Sequence, residues 1–504
     1  MARAERYMSN LFAFRSGENL SIQESSAWKI LVLFNAWHLF WIPWIGIMPQ
    51  DAYYHLYAIN PSLSYFDHPP GIAWLIRFFQ LFLNSHSVIV LKFMDWLVTL
   101  GIQFGAYHLF RTLTGRSESI YLTAWLGASP MILLLAFNTT PDVPLLLGWV
   151  WALVVMRKAF SENRMVFWVL TGLLAGITFD SKYTGLWILL GMHGALIFSR
   201  TYRRLYRSPG PYLATLLALA VMSPVFIWNA EHHFVSFLFQ SGERAATIKR
   251  LNPALFFGHL GSQLGVASPF LLIPIWIRLY RNLIRWFGRR LEPDTWFQFI
   301  FTAPFVLGFG AIALIYWVKI NWVMPAYFTG IMMAAPLLTR NLFKGHFYFA
   351  LVLHLLLTLE FATYLIPVHS DDTWYGWKEL ATEVHSIEQE YPGTFVFSAD
   401  GYKTTAVLRF LNRQTYYAEN ILGRPALHFD YLGEDLNDLV GKDGIFIDSN
   451  PGLKDLDSNP VPAVLHKHFK DIHFIRAIDV KRSGQLARQF RVYLCHDYLG
   501  PNPD

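Results

Sequence analysis

The sequence has little cysteine and little charge. Its 504 residues include one cysteine, Cys495, so an intrachain disulfide and a zinc site built on several cysteines are excluded. Charged residues make up 15% of the chain, whereas soluble globular chains carry roughly 25%. Hydrophobic residues make up 54% and aromatic residues 17%. The low charge and high hydrophobic content indicate a membrane protein. The sequence contains no Gly-rich phosphate loop and no aromatic–basic RNA-binding motif, so no nucleic-acid partner is predicted.

The charge is divided unevenly along the chain. Residues 1–370 carry 27 Lys and Arg against 15 Asp and Glu, whereas residues 371–504 carry 14 against 20. This division predicts a transmembrane domain over residues 1–368 and a soluble domain over residues 369–504. The soluble part is predicted to be mixed α/β, with β-rich runs at 394–397, 444–447 and 490–494 and helical stretches at 376–390 and 402–412.

Eleven apolar segments precede the soluble part. A bilayer core of ~30 Å needs ~20 apolar residues per helix, and the segments have about that length or slightly less. They lie at residues 27–49, 88–110, 118–137, 142–157, 165–180, 183–199, 211–229, 256–277, 297–317, 322–338 and 346–367. No short apolar core with a small-residue cleavage site comes first, so the first segment is predicted to be a retained membrane helix. The predicted fold is a polytopic α-helical membrane protein with about eleven transmembrane helices.

Lys and Arg residues cluster in alternate gaps between these segments. Arg111 and Arg116 follow the second segment, and Arg157, Lys158 and Arg164 follow the fourth. Arg200, Arg203, Arg204 and Arg207 follow the sixth segment, and Arg278, Arg281, Arg285, Arg289 and Arg290 follow the eighth. Arg340 and Lys344 follow the tenth. The positive-inside rule places these gaps and the N-terminus in the cytoplasm. The sequence therefore predicts a multi-pass protein of the cell inner membrane whose C-terminal domain is periplasmic.

The other gaps face the periplasm and contain three candidate acids. A long first loop, about 50–87, holds Asp51 and Asp67, and Asp142 opens the fourth segment. An aspartate at the membrane edge is costly unless it is solvated, paired or ligating. Each acid also has a structural interpretation: Asp51 as a solvated loop residue, Asp67 as a turn former before two prolines, and Asp142 as a helix cap.

Candidate cations lie in the same gaps. Lys182 and Lys319 each stand at the periplasmic end of a segment, and Arg244 lies in a loop. Convergent cations bind phosphate oxygens, whereas a single lysine in this position is often only snorkelling to the interface.

Histidine and asparagine complete the set of polar candidates. His68, His232 and His233 are possible ligands of a divalent metal, although adjacent loop histidines are more often polar surface. No other cofactor is indicated. Asn229 and Asn321 each adjoin a tryptophan and are candidates for orienting a sugar, while the tryptophans themselves are typical of an interfacial aromatic belt.

Short motifs occur in the order and spacing of a known family. They are Ala52-Tyr53-Tyr54, Tyr65-Phe66-Asp67-His68-Pro69-Pro70, Pro141-Asp142-Val143-Pro144-Leu145, Ser181-Lys182-Tyr183-Thr184, Ser223-Pro224-Val225-Phe226-Ile227-Trp228-Asn229, Asn321-Trp322-Val323-Met324-Pro325-Ala326-Tyr327 and Gly376-Trp377-Lys378-Glu379-Leu380. Over residues 27–380 the chain resembles the bacterial glycosyltransferase family 39/83 group, related to the dolichyl-phosphate-mannose–protein mannosyltransferases and aminoarabinose transferases. The resemblance implies the C-type glycosyltransferase fold, a polyprenyl-phosphate sugar donor and inversion at the anomeric carbon.

One position departs from the family pattern. The family usually carries Asp-Glu before Ala-Tyr-Tyr, whereas this chain has Gln50-Asp51. A carboxylate in reach of the acceptor hydroxyl is needed to remove its proton, so the resemblance implies Asp51 as the base, with Asp142 or Asp67 as its partner. The residues implied in substrate binding are Tyr54, His68, Lys182, Tyr183, Asn229, Arg244, Lys319 and Asn321.

The acceptor and two other functional classes stay open at this point. Lipid A, another envelope glycan and a protein are all compatible acceptors, the last making the chain a protein O-glycosyltransferase. A transporter of lipid-linked sugars would need polar residues across the depth of the membrane. The chief polar residues within a segment are Lys92 and Asp95, which lie one helical turn apart in the second segment and could pair. A scaffold whose acidic tail binds partners is the third class.

Overall fold

The computed structural model describes residues 18–243, 251–288, 291–366, 373–449, 464–482 and 484–502. Helices occupy all eleven predicted membrane segments. In chain order, the described α-helices are Glu18–Trp41, Pro49–Ile59, Gly71–Leu83, Val88–Arg111, Arg116–Gly127, Pro130–Phe137, Asp142–Glu162, Met165–Ser181, Leu186–Phe198, Gly210–Glu231, Val235–Leu238, Pro253–Ala267, Pro269–Phe287, Pro293–Ala303, Phe309–Ile312, Ala326–Ala334, Arg340–Thr363, Trp377–Glu390, Lys403–Asn412 and Leu465–His468.

The helices support the predicted membrane architecture. Within the described ranges, five helices are long and apolar enough to cross a membrane, and eight segments qualify if each sharply bent helix pair counts as one. The three remaining predicted spans correspond to shorter apolar helices within 165–181, 183–198 and 326–337. The prediction of a polytopic helical membrane fold is therefore confirmed.

Proline sets three sharp bends between helices. The chain direction changes by 81°, 61° and 114° at breaks that are followed by helices beginning at Pro49, Pro130 and Pro269. Proline has no backbone N–H and its ring clashes with the preceding turn, so it suits the first position of a helix and not the interior. The first bend places Asp51 in the first turn of a helix, where the sequence predicted a loop.

A second helix of the predicted periplasmic loop, Gly71–Leu83, has an exposed apolar face. Trp74, Phe78, Leu81 and Phe82 are all exposed on it, as in a helix that lies in a membrane interface. At its start, a Cβ atom added to Gly71 would lie 2.8 Å from the backbone oxygen of Asp180. Glycine therefore allows this helix to pack directly against the end of helix Met165–Ser181.

The C-terminal part contains a four-stranded sheet. Its strands are β1 (Phe395–Ser398), β2 (Gly444–Asp448), β3 (Phe469–Arg482) and β4 (Gln485–Tyr498), in the order β1-β2-β4-β3. β1 and β2 are parallel, and the other two pairs are antiparallel. The predicted strands near 394–397, 444–447 and 490–494 are confirmed, whereas β3 was not predicted. β3 is an edge strand with many half-buried or exposed polar residues, which weakens the hydrophobic signal. The predicted domain boundary at residue 368 lies outside the described residues.

The tail and the helices Pro49–Ile59 and Gly71–Leu83 share one hydrophobic core. The ring of Tyr53 lies 4.4 Å from that of Tyr402, between centroids, and 6.4 Å from that of Phe429. Arg413 also donates to the backbone oxygen of His86 at 2.8 Å. The tail therefore fixes the position of the helix that carries Asp51 and the two tyrosines described below.

Candidate active site

Asp142, Lys182 and Asn321 form a buried polar cluster. Asp142 is the first residue of helix Asp142–Glu162, and Lys182 immediately follows helix Met165–Ser181. The ammonium group of Lys182 donates to both oxygens of Asp142, at 2.8 and 2.9 Å, and the Asn321 amide donates to the same carboxylate. Only 3% of the Asp142 side chain and 10% of the Lys182 side chain are exposed. Three residues from distant gaps of the sequence thus converge on one carboxylate.

Asp67 is the centre of a second cluster. The hydroxyl groups of Tyr53 and Tyr57 both donate to its Oδ1 atom, Tyr53 at 3.0 Å. Its backbone oxygen accepts from the Gln240 side chain at 2.7 Å. Burial raises the pKa of the Asp67 carboxyl, while the two tyrosine hydrogen bonds and the charge of Lys319 oppose that shift. With 11% of its side chain exposed, Asp67 combines a raised pKa with residual access.

The two clusters are neighbours. The exposed Lys319, two residues before Asn321, acts electrostatically on Asp67. Tyr183, which follows Lys182, also lies within electrostatic range of Asp67, and its hydroxyl is near the buried side chain of Asn229. Two acids, two lysines and an asparagine therefore surround one region at the end of the helical bundle.

Asp51 is placed differently from the other two acids. Its oxygens accept hydrogen bonds from the backbone N–H groups of Met48 and Thr139, each at 2.8 Å, and from the ammonium group of Lys92. The Asp51 and Lys92 side chains are both fully buried. Three donors occupy this carboxylate, and its side chain has no exposed surface. Asp51 instead holds the turn that leads, three residues beyond Thr139, to Asp142.

Lys92 and Asp95, which could have paired along one helix, hydrogen-bond to other partners. The Lys92 ammonium group donates to Asp51 and, at 2.7 Å, to the backbone oxygen of Phe137. Asp95 accepts from the Thr139 hydroxyl at 2.6 Å. A buried ammonium group needs several acceptors, and the turn at 137–139 supplies a carbonyl that Asp95 does not. These polar residues of the second segment hold the turn at 137–139, and nothing in their contacts forms a path across the membrane.

The three candidate metal ligands are not brought together. His68 lies 4.0 Å from Asp67 and edge-on to the ring of Tyr54. His232 stacks on Trp228, whereas His233 is exposed. Among the residues that the structure describes, no group of three or more His, Cys, Asp and Glu side chains could hold a metal ion. Arg244, predicted to bind phosphate, lies outside the described residues.

Sequence reasoning missed four participants of these clusters. Tyr53 and Tyr57 lie four residues apart on one helix, so their shared face was readable from the spacing. Burying the charge of Lys92 in a membrane segment costs free energy, so the sequence indicated that Lys92 has a partner but not which residue it is. His428, whose backbone N–H donates to the Tyr53 hydroxyl at 3.2 Å, has no comparable signal because it comes from the tail, far away in the sequence.

Known sequences similar to this chain are glycosyltransferases. The family model of the dolichyl-phosphate-mannose–protein mannosyltransferases matches residues 67–228. The lipid A galacturonosyltransferase RgtD of Rhizobium johnstonii is 24% identical over 300 residues. That match covers 59% of this chain and 61% of RgtD, which is less than two thirds of the relative's length. Asp67, Asp142 and Lys182 fall within the region matched by the family model, and Asn229 lies one residue beyond it.

Solved structures show the same fold at low sequence identity. ArnT from Cupriavidus metallidurans, bound to undecaprenyl phosphate, has a TM-score of 0.62 and 12% identity, and the match covers 92% of this chain and 97% of ArnT. The oligosaccharyltransferase of Archaeoglobus fulgidus, tethered to an acceptor peptide, has a TM-score of 0.53 and 12% identity, over 84% of this chain and 69% of the other. These matches confirm the resemblance found in the sequence: the chain is a membrane protein of the C-type glycosyltransferase fold, related in sequence to the dolichyl-phosphate-mannose–protein mannosyltransferases.

Proposed function

We propose that the chain is an inverting glycosyltransferase that moves a sugar from a polyprenyl-phosphate donor to an envelope glycan, such as lipid A, on the periplasmic side of the inner membrane. The observation that carries the proposal is the placement of Asp67 and Lys319 beside the Asp142–Lys182–Asn321 cluster. One carboxylate with residual access therefore lies next to cations, on a fold whose relatives include a lipid A galacturonosyltransferase and a protein bound to undecaprenyl phosphate.

Asp67 is proposed as the general base. The acceptor hydroxyl attacks the anomeric carbon while its proton passes to Oδ2 of Asp67, because Oδ1 already accepts from Tyr53 and Tyr57. A raised pKa improves a carboxylate as a proton acceptor, provided that it remains ionised at the working pH. The tyrosines fix the orientation of the carboxylate, which reduces the reorganisation needed during the transfer.

The lysines are proposed to stabilise the leaving phosphate. The bond between the anomeric carbon and the phosphate oxygen breaks with its electron pair on oxygen, so negative charge increases on the carrier lipid phosphate. Lys319 is exposed, so it is accessible to an incoming phosphate. Lys182 lies deeper, held by Asp142, and adds a second positive charge in a partly dehydrated region where it acts strongly.

Asp51 is proposed as a positioning residue, which revises the role implied by the family pattern. Its position next to Gln50 matches the second residue of the family's acidic pair, and the first acid is absent here. Because Asp51 is saturated with donors and fully buried, its contribution is to hold Thr139 and thereby the start of helix Asp142–Glu162. Asp142 likewise orients Lys182 and Asn321.

A protein acceptor is the second candidate. The matching family model describes protein mannosyltransferases, and the oligosaccharyltransferase structure carries an acceptor peptide. A protein O-glycosyltransferase would use the same Asp67 and lysine arrangement, because only the source of the hydroxyl group changes.

Mass spectrometry of envelope lipids and glycoproteins from cells with and without the gene tests the function. We expect one glycolipid species to lose a single sugar mass when the gene is deleted. Loss of the mass from glycoproteins alone would establish the protein acceptor. An unchanged glycan profile, together with counterflow of a labelled lipid-linked sugar in vesicles, would establish a transporter and contradict the proposal.

Once the product is known, an Asp67→Asn variant tests the base. The amide oxygen still accepts from the tyrosines but cannot take a proton, so we expect the transfer rate to fall by about 10²–10⁴-fold. The matched control is Asp479→Asn, which makes the same chemical change at an exposed residue of β3 and should leave the rate unchanged. A wild-type rate in Asp67→Asn would remove Asp67 from the base role.

A further inference from the structure

A cavity of about 800 Å³ lies where the membrane helices meet the tail. Its walls come from three separate parts of the chain: residues 59–63 after helix Pro49–Ile59, the end of helix Gly210–Glu231, and the short 3₁₀ helix Leu427–Tyr431. Its volume falls within the usual range of about 300–1,000 Å³ for small-molecule sites. None of the proposed reacting residues lines it.

Aromatic rings form two walls of this cavity. The His232 ring stacks on Trp228 with 4.0 Å between centroids and an interplanar angle of 14°. Tyr431 makes edge-to-face contacts with both of them, with 5.8 Å between centroids in each case and interplanar angles of 61° and 64°. The faces of such rings carry partial negative charge, so they attract the slightly positive C–H groups of a carbohydrate ring.

The charge of the lining selects against anions. Among the described residues, the lining contains Glu231 as its one acid and no Lys or Arg. His428 adds no charge, because burial and the neighbouring His232 lower its pKa to about 3. The phosphate-binding lysines described above belong to the other region of the site. A phosphate or carboxylate in this cavity would meet Glu231 and no Lys or Arg in the described lining.

The cavity adjoins Asp67 through two hydrogen bonds. The backbone N–H of His428, in the cavity wall, donates to the Tyr53 hydroxyl at 3.2 Å, and that hydroxyl donates to Asp67 at 3.0 Å. The His428 ring also packs edge-on against Tyr57 at 4.9 Å between centroids. The proposed base is therefore separated from the cavity wall by the Tyr53 hydroxyl, two hydrogen bonds from the His428 backbone.

We propose that this cavity binds the acceptor, and that the acceptor is a sugar residue without negative charge. Its ring packs against the walls formed by His232 and Tyr431, and Glu231 accepts hydrogen bonds from its hydroxyl or amine groups. This inference rests on the proposed function, because it assigns the acceptor site of the same reaction. It narrows the acceptor to a neutral or amine-bearing sugar and excludes a phosphate or a uronic acid as the group bound here.

Saturation-transfer difference NMR on the full chain in lipid nanodiscs tests the inference without any transfer assay. The probes are N-acetylglucosamine, glucosamine and galacturonate, each added alone. We expect signals from the first two and at least a fivefold weaker signal from galacturonate. Tyr431→Ala should weaken the N-acetylglucosamine signal by about fivefold, since one aromatic wall is lost, whereas the matched control Tyr431→Phe keeps the ring and should retain it.

A charge reversal provides a second, independent variant. Glu231 is exposed, so Glu231→Lys should fold, and we expect it to bind galacturonate and to lose glucosamine. No signal from any probe, equal signals in the wild type and Tyr431→Ala, or unchanged preference in Glu231→Lys would each overturn the inference. Failure of the proposed function is distinguishable: wild-type sugar binding in a chain that transfers no sugar contradicts the transferase and leaves the binding site standing.

Discussion

Asp51 and Lys92 form a fully buried ion pair, and the structural role proposed for Asp51 can be tested separately from the catalytic role proposed for Asp67. Lys92 donates to Asp51 and to the Phe137 backbone, and Asp51 also binds two backbone N–H groups. Removal of one member of a buried pair leaves an uncompensated charge, which costs about 3–5 kcal/mol. We therefore expect Lys92→Met to lower the free energy of unfolding by about 3–5 kcal/mol, and Asp51→Asn to lower it substantially.

The double variant sharpens this prediction. In Asp51→Asn/Lys92→Met neither charge remains, so its destabilisation should be smaller than the sum of the two single effects by about 0.5–3 kcal/mol, the usual range for coupled neighbours. The control is Arg116→Met, which removes an ion pair to Glu24 at 3.4 Å with 71% of the arginine side chain exposed. An exposed pair of this kind contributes at most about 1 kcal/mol.

Unfolding by sodium dodecyl sulfate titration in mixed micelles, followed by tryptophan fluorescence, measures these differences. The transfer rate of each variant is measured at low temperature, where the folded fraction is highest. An Asp51→Asn variant with wild-type stability and no transfer activity would refute the reasoning and return Asp51 to the role of base. Strictly additive single effects would show that Asp51 and Lys92 are not coupled.

Two further predictions concern the site. The carboxylate of Asp67 must be ionised to accept a proton, and burial raises its pKa. We therefore expect kcat/KM, measured from initial rates, to fall as the pH drops through that raised pKa. An acid limb at the ordinary aspartate pKa of about 3.9, or one that persists in Asp67→Asn, would contradict this. Gly71→Ala would bring a methyl group to 2.8 Å from the backbone oxygen of Asp180, so thermal unfolding should show a loss of about 1–3 kcal/mol. The control Gly258→Ala, inside helix Pro253–Ala267 with no heavy atom within 4 Å of the added methyl, should not lower the stability, because alanine has the higher helix propensity.

Much of the architecture was predictable because it follows from hydrophobicity alone. Long apolar segments must be helical in a membrane, and the eleven segments are all helical in the structure. The tail was readable for the same reason where strands are buried, as at Phe395–Ser398. β3 was missed because one of its edges is unpaired and many of its residues are exposed, so burial leaves little trace in its sequence.

The site was predictable in its composition but not in its pairings. Lys182 and Asp142 were each singled out by their position at a membrane edge, and the structure places them in one ion pair. Which acid takes which lysine depends on how the helices pack. Asp95 lies one turn from Lys92 on the same helix, yet Lys92 donates to Asp51. The turn at 137–139 favours this pairing, because its Phe137 carbonyl accepts from Lys92 and its Thr139 N–H donates to Asp51.

The common core of Tyr53, Tyr402 and Phe429 bears on how the protein can be dissected. A cut at the compositional boundary would strip the aromatic partners from the helix Pro49–Ile59 and remove the His428 N–H that fixes the Tyr53 hydroxyl. A membrane fragment made in this way would be inactive through loss of support, whatever the tail itself binds. Swapping tails between related proteins would have to carry the matching face of that helix along with the tail.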